Sequence, residues 1–89
     1  MKKSDIIDAI DNQVRSIESK KYSIWTIGVT DDPDTRKDKH KQDGENVNHW
    51  QRWNADSEND ARDIEAHFIK NGMKGGTGGG GKANYVYIF

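Results

Sequence analysis

The stretch Tyr22-Ser23-Ile24-Trp25-Thr26-Ile27-Gly28-Val29-Thr30-Asp31-Asp32-Pro33 decides how this chain is read. Tyr22 to Val29 is rich in aromatic and β-branched residues and predicts a strand. Thr30 to Pro33 predicts a turn into a helix. Asp at the cap accepts from a free amide of the first turn, and Pro at the first helical position loses no bond. A strand that runs straight into a helix, in a chain of 89 residues, implies one mixed α/β domain.

Upstream, Ser4 to about Lys20 predicts a helix, with residues 1–20 as the N-terminal element. Ile6, Ile7, Ile10, Val14 and Ile17 fall within an arc of about 100°. Ser4 is placed to cap it, with Asp5 and Asp8 at the positive end of its dipole. Downstream, Pro33 to about Gln42 has no apolar anchor beyond the proline. Pro33, Arg36 and His40 share one stripe; either it faces the protein, or the helix barely docks. Asp43 to Asn48 reads as a polar loop and His49 to Trp53 as a short strand. Asp56 and Ser57 open a third helix running to about Asn71, with Ser57 and Asp60 as a capping pair and Gly72 as the stop. Residues 72–83 form a glycine-rich connector to Asn84-Tyr85-Val86-Tyr87-Ile88-Phe89, the most strand-like segment present. The expected fold is α/β (α+β). A small three-stranded, mainly antiparallel sheet is flanked by three helices in the order α-β-α-β-α-β, with the C-terminal strand beside Tyr22–Val29.

Bulk composition bounds the function. The chain has 9 Ile, 4 Val, 2 Phe and no Leu, so its core is small and its stability modest. A formal net charge of -1 gives no global pull toward nucleic acid, so any such binding needs a local patch. The absence of cysteine removes disulfides and thiolate zinc sites and suits a reducing, cytoplasmic setting. The N-terminal segment is charged and amphipathic, unlike a secretory signal, and no apolar run reaches the ~20 residues a membrane span needs.

Glu65 is the sharpest chemical clue. At about 100° per residue it falls between Ala61 and Ile69, inside the apolar arc of the third helix that also holds Ile64 and Phe68. A carboxylate turned toward a core is costly unless it is paired, protonated or bound to a metal. It is either a site residue or a rim carboxylate that snorkels or pairs with an arginine. Arg36 and His40 lie four apart on a helix with no apolar reason to exist. Arginine is a forked cation suited to phosphate, and histidine can shuttle a proton or bind metal. The rival reading is a solvated charged helix, since Lys37, Lys39 and Lys41 crowd the same segment. Trp25, Trp50 and Trp53 serve either as core mass or as stacking surfaces for bases. His49 and His67 show no ligand spacing and are placed at the surface or rim. The glycine run lacks the preceding strand and following helix of a phosphate-binding loop. It reads as a return loop whose amides, with Lys74 and Lys82, could touch a nucleic-acid backbone.

Together these residues resemble the GIY-YIG nucleases. Thr26-Ile27-Gly28-Val29-Thr30 is similar to the strand ending in Tyr-Ile-Gly that a Thr follows. Arg36 and His40 sit at the family's spacing, and Ala61 to Glu65 matches its helix with an Ala and, four residues on, a Glu. The resemblance covers about residues 24 to 70. Two departures stand out: Thr26 replaces the Tyr of Tyr-Ile-Gly, and no Gly-Ile-Tyr strand precedes it. Asn84–Phe89 looks more like that strand, which implies a circular permutation. The resemblance implies a single GIY-YIG-like domain over 1–89 acting on DNA or RNA phosphodiesters with Mg2+ or Mn2+. Glu65 is then the metal ligand, Arg36 steadies the phosphate, His40 transfers protons, and Tyr85 or Tyr87 supplies the phenol. Lys37, Lys41, Lys74 and Lys82 are the candidate nucleic-acid contacts. The alternatives are a non-catalytic nucleic-acid or protein binding module of the same fold, and a pure protein-interaction domain with Glu65–Arg36 as a structural ion pair.

Overall fold

The computed structural model describes residues 1–17, 21–75 and 83–89. In chain order the elements are helix α1 (Lys3–Ser16), a 3-10 turn (Tyr22–Ile24), strand β1 (Thr26–Thr30), helix α2 (Pro33–Gln42), strand β2 (Gln51–Asn54), helix α3 (Glu58–Lys70) and strands β3 (Lys74–Gly75) and β4 (Tyr85–Ile88). The sheet is mixed and four-stranded, in the order β2-β4-β1-β3. Strand β4 pairs antiparallel with both β1 and β2, and β3 pairs parallel with β1.

The three expected strands form the antiparallel part of this sheet, with the C-terminal strand beside β1 as expected. The fourth strand corrects the expected count. After α3 the chain runs extended past the start of β1, where the Lys74 amide donates to the Trp25 carbonyl at 2.9 Å. A Lys-Gly pair at the head of a glycine run carries almost no strand propensity, so the sequence does not announce it. Strand β1 is also shorter than expected. Tyr22 donates its hydroxyl to Asp11 of α1 and packs its ring 5.9 Å from that of Phe68, which holds Tyr22–Ile24 in the helical layer as a turn. Strand β2 starts at Gln51 instead of His49. Helix α1 begins at Lys3, so Ser4 lies inside it and makes no cap. The expected extension of α1 through Lys20 and most of the glycine-rich connector lie outside the described residues.

Alternation along the strands divides the sheet into two faces. Ile27 and Val29 of β1 and Val86 and Ile88 of β4 point to one face, and α1 and α3 cover it with Ile6, Ile10, Val14, Ala61, Ile64 and Phe68. All ten are nearly or fully buried. Each large apolar side chain so buried contributes about 1.5–3 kcal/mol, so this layer holds the fold together. The other face carries Gly28, Thr30, Tyr87 and the side chains of α2. The Pro33–Arg36–His40 stripe does face the protein: Pro33 and His40 are buried and Arg36 is half-buried. Asp32 caps α2 as expected, accepting from the Thr35 amide at 3.2 Å and the Thr35 hydroxyl at 2.8 Å. Those bonds hold the Asp32 carboxyl below its ordinary value. Among the described residues no helix is long and apolar enough to cross a membrane.

Candidate functional site

The site is built around one phenol. Tyr87 faces Gly28 across the β1–β4 pair. A Cβ placed on Gly28 would lie 2.4 Å from both Cζ and Oη of Tyr87. The ring therefore lies against the backbone of β1, and only glycine leaves room for it. Trp50 stacks on the same ring, with centroids 4.5 Å apart and planes 14° apart. Trp50 is thus on the α2 side of the sheet, whereas Trp25 is in the core and Trp53 packs against it, so core mass holds for two of the three tryptophans.

Helix α2 brings His40 to this ring. His40 Nε2 is 3.1 Å from Tyr87 Oη, and Nδ1 is 2.8 Å from Glu45 Oε2. The imidazole is only 6% exposed, and the Phe89 ring lies 4.6 Å away. Glu45 reaches it because of how α2 ends. Gly44 has φ +85°, the Gly44 amide donates to the Lys41 carbonyl at 3.1 Å, and the Glu45 amide donates to the His40 carbonyl at 3.1 Å. This is a Schellman turn, which brings the side chains five apart into contact. Those two positions are usually apolar; here they are an imidazole and a carboxylate.

Arg36 and Glu65 bear on the same hydroxyl through their charge. Burial pushes the Tyr87 phenol up to about 12; the Arg36 guanidinium pulls it down, and the Glu65 and Glu45 carboxylates push it up. Groups from α2, α3 and the α2–β2 loop thus act on one hydroxyl of β4. Glu65 is half-buried at the rim of the core layer, and Ile69, expected inside the same arc, is 43% exposed. The buried stripe of α3 is Ala61, Ile64 and Phe68, with Glu65 at its edge. Desolvation raises the Glu65 carboxyl, partly offset by Arg62, which is itself bonded to Glu58 at 3.0 Å. Neither Arg36 nor Glu65 belongs to any ion pair among the described residues, so the structural Glu65–Arg36 pair does not form.

The other expected site residues are more dispersed. Tyr85 is half-buried, two residues from Tyr87 and so on the same side of β4, paired with Thr30 and Asn54. Lys37 and Lys41 are exposed on α2 among Asp34, Asp38 and Asp43, which is a mixed surface and no basic patch. Lys74 is exposed on β3 and lines a cleft of about 310 Å³ with Glu45 and Asn46. Lys82 lies outside the described residues. At Thr26 no phenol stands; its cross-strand neighbour is Phe89, joined by paired backbone bonds of 2.8 and 3.0 Å. His49 and His67 are exposed, as expected.

Among the described residues no three His, Cys, Asp or Glu side chains gather to hold a metal ion. A half-buried carboxylate without an ion-pair partner suits Mg2+ or Mn2+, since Mg2+ keeps most of its waters and is completed by substrate phosphate oxygens. The sequence reading missed Glu45 and left the facing of Trp50 open. Glu45 carried a signal: His40 followed by Gly44-Glu45 is the spacing of a helix-ending turn. Trp50 carried none, because its facing depends on where β2 begins. Set against protein families, curated proteins and solved structures, the chain matches none.

Proposed function

We propose that this chain is a GIY-YIG-like domain, circularly permuted, that acts on nucleic-acid phosphodiesters with the help of Mg2+ or Mn2+. The observation that carries this reading is the His40 imidazole 3.1 Å from the Tyr87 hydroxyl, itself laid against Gly28, with Arg36 half-buried one turn away on the same stripe of α2. Arg36 offers a forked cation to a phosphate. Glu65 holds the ion, which, when bound, supplies charge neutralisation at the phosphate and at the departing oxygen. His40 holds or takes the proton of the Tyr87 hydroxyl. Tyr85, less buried on the same side of β4, is the phenol closer to an incoming strand.

Two observations favour the non-catalytic binding module instead. Tyr87 is fully buried under Trp50, and Thr26 supplies no second phenol. Plasmid incubated with either metal separates the readings. Cleavage by the wild type, lost in Glu65→Ala and reduced about 10²–10⁴-fold in Tyr87→Phe, supports catalysis. Equal cleavage by wild type and Glu65→Ala, or none by either, contradicts it. A salt-sensitive mobility shift without cleavage identifies the binding module, because phosphate contacts weaken steeply with salt.

A further inference from the structure

The residue that the catalytic reading leaves unused is Glu45. It lies on no helix or strand, half exposed, yet it makes the shortest polar contact of the buried imidazole. We propose that Glu45 is a positioning residue: it fixes His40 as the Nδ1–H tautomer, so that Nε2 is left to accept the hydroxyl proton of Tyr87.

The chemistry follows from what each atom can do. An ionised carboxylate only accepts hydrogen bonds, so at 2.8 Å the Nδ1 atom must carry a proton. A neutral imidazole has one N–H, so Nε2 is then a bare acceptor. At 3.1 Å from Nε2, Tyr87 Oη must donate to it. That bond sets the torsion of the hydroxyl and turns the lone pairs of Oη away from His40. Among the described residues no other side chain is hydrogen-bonded to the imidazole. Phe89 and Trp50 wall the imidazole with apolar rings, at centroid distances of 4.6 and 6.2 Å. Without Glu45 the ring is free to carry its proton on Nε2, and Tyr87 is then turned into an acceptor.

The placement of Glu45 is fixed by backbone and not by chance contact. The Schellman turn at Gly44 forces the residue after the glycine back over the side chain of His40. If the phenol gives its proton to Nε2, the imidazole becomes a cation between the phenolate and the Glu45 carboxylate, and the net charge of the trio is unchanged. The pair thus provides a place for the proton of a phenol that is itself fully buried. The catalytic consequence rests on the nuclease reading; the tautomer does not.

The test is long-range 15N–1H NMR of the imidazole at neutral pH on wild type, Glu45→Ala and Glu45→Gln. Wild type is expected to show His40 protonated at Nδ1 and bare at Nε2. Glu45→Ala is expected to mix or invert the tautomers, and Glu45→Gln to restore the wild-type pattern, because its amide oxygen still accepts from Nδ1–H. Wild-type His40 protonated at Nε2, alone or with Nδ1, overturns the proposal; so does an unchanged pattern in Glu45→Ala. Cleavage measured on the same variants should fall about 10–100-fold in Glu45→Ala, in rate constant and not in KM, and recover in Glu45→Gln. The expected tautomers without any cleavage leave Glu45 in its place and remove the nuclease reading alone.

Discussion

Helices α2 and α3 end on the same backbone plan and put opposite chemistry into it. In α3, Gly72 takes φ +117°, and its amide and that of Met73 bond back to Ile69 and Phe68 at 3.0 and 2.9 Å. The side chains this turn brings together, Phe68 and Met73, are buried in the core. In α2 the same turn brings together His40 and Glu45 on the other face of the sheet. One ending closes the apolar layer; the other equips the layer that faces Tyr87. The backbone motif therefore does not decide whether a helix end is apolar or polar. The two side chains it joins decide that, and each kind lies on its own face of this small sheet.

The comparison breaks first at its apolar side. Phe68→Ala should cost about 3–5 kcal/mol in urea denaturation, enough to leave a domain this small largely unfolded. The matching change in α2, His40→Ala, should cost less, about 1–3 kcal/mol, chiefly by leaving the buried Tyr87 hydroxyl without a partner. Equal costs would mean that the two helix ends are not specialised as described. Gly28→Ala probes the boundary between the faces. The new methyl meets Tyr87 Cζ and Oη, so the ring must move, at about 1–3 kcal/mol. The His40–Tyr87 contact should then be lost even where the fold survives, which a crystal structure of the variant reads directly.

Two titrations sharpen the contrast with smaller effects. The Tyr87 phenol is held up to about 12, against an ordinary value near ~10. A raised acid favours its neutral form in the fold, so this contribution is present below pH ~10 and lost as pH rises through about 12. Ultraviolet titration should show a late phenolate step for Tyr87 that Tyr87→Phe removes, leaving that of Tyr22, which its bond to Asp11 also raises. Glu65 is also raised by burial, so its charged form weakens the fold as pH rises through its folded value. Glu65→Gln should therefore stabilise the protein at neutral pH, with the gain fading below pH ~4, where both states are protonated in the wild type. Destabilisation by Glu65→Gln at pH 7 would show that the carboxylate is held by a favourable partner.

Much of this was legible in the sequence, for identifiable reasons. The Asp32-Pro33 start and the Ser57 and Gly72 limits of α3 were readable because caps and stops are local chemistry. The inward turn of Arg36 and His40 was narrowed to two options, and docking on Pro33 and Tyr87 settled it. The β3 strand was not readable, because its two residues pair only through proximity to the start of β1. Ile69 was misplaced because a wheel gives the angle of a side chain and not the width of the surface it meets. The facing of Trp50 stayed open for want of a register, and a one-residue shift in a strand exchanges the faces. The Glu45–His40 contact was written in plain spacing, but it becomes visible only once Gly44 is read as a helix end.

Under the proposed function, His40 and Tyr87 act as one unit in a metal-dependent cut. A double-mutant cycle on single-turnover plasmid cleavage tests this most directly, using His40→Ala, Tyr87→Phe and the double variant at fixed Mn2+. Residues that act as a unit are strongly non-additive, so the double variant should be about as slow as the slower single one. Losses that multiply, or single variants that cut at the wild-type rate, would contradict it.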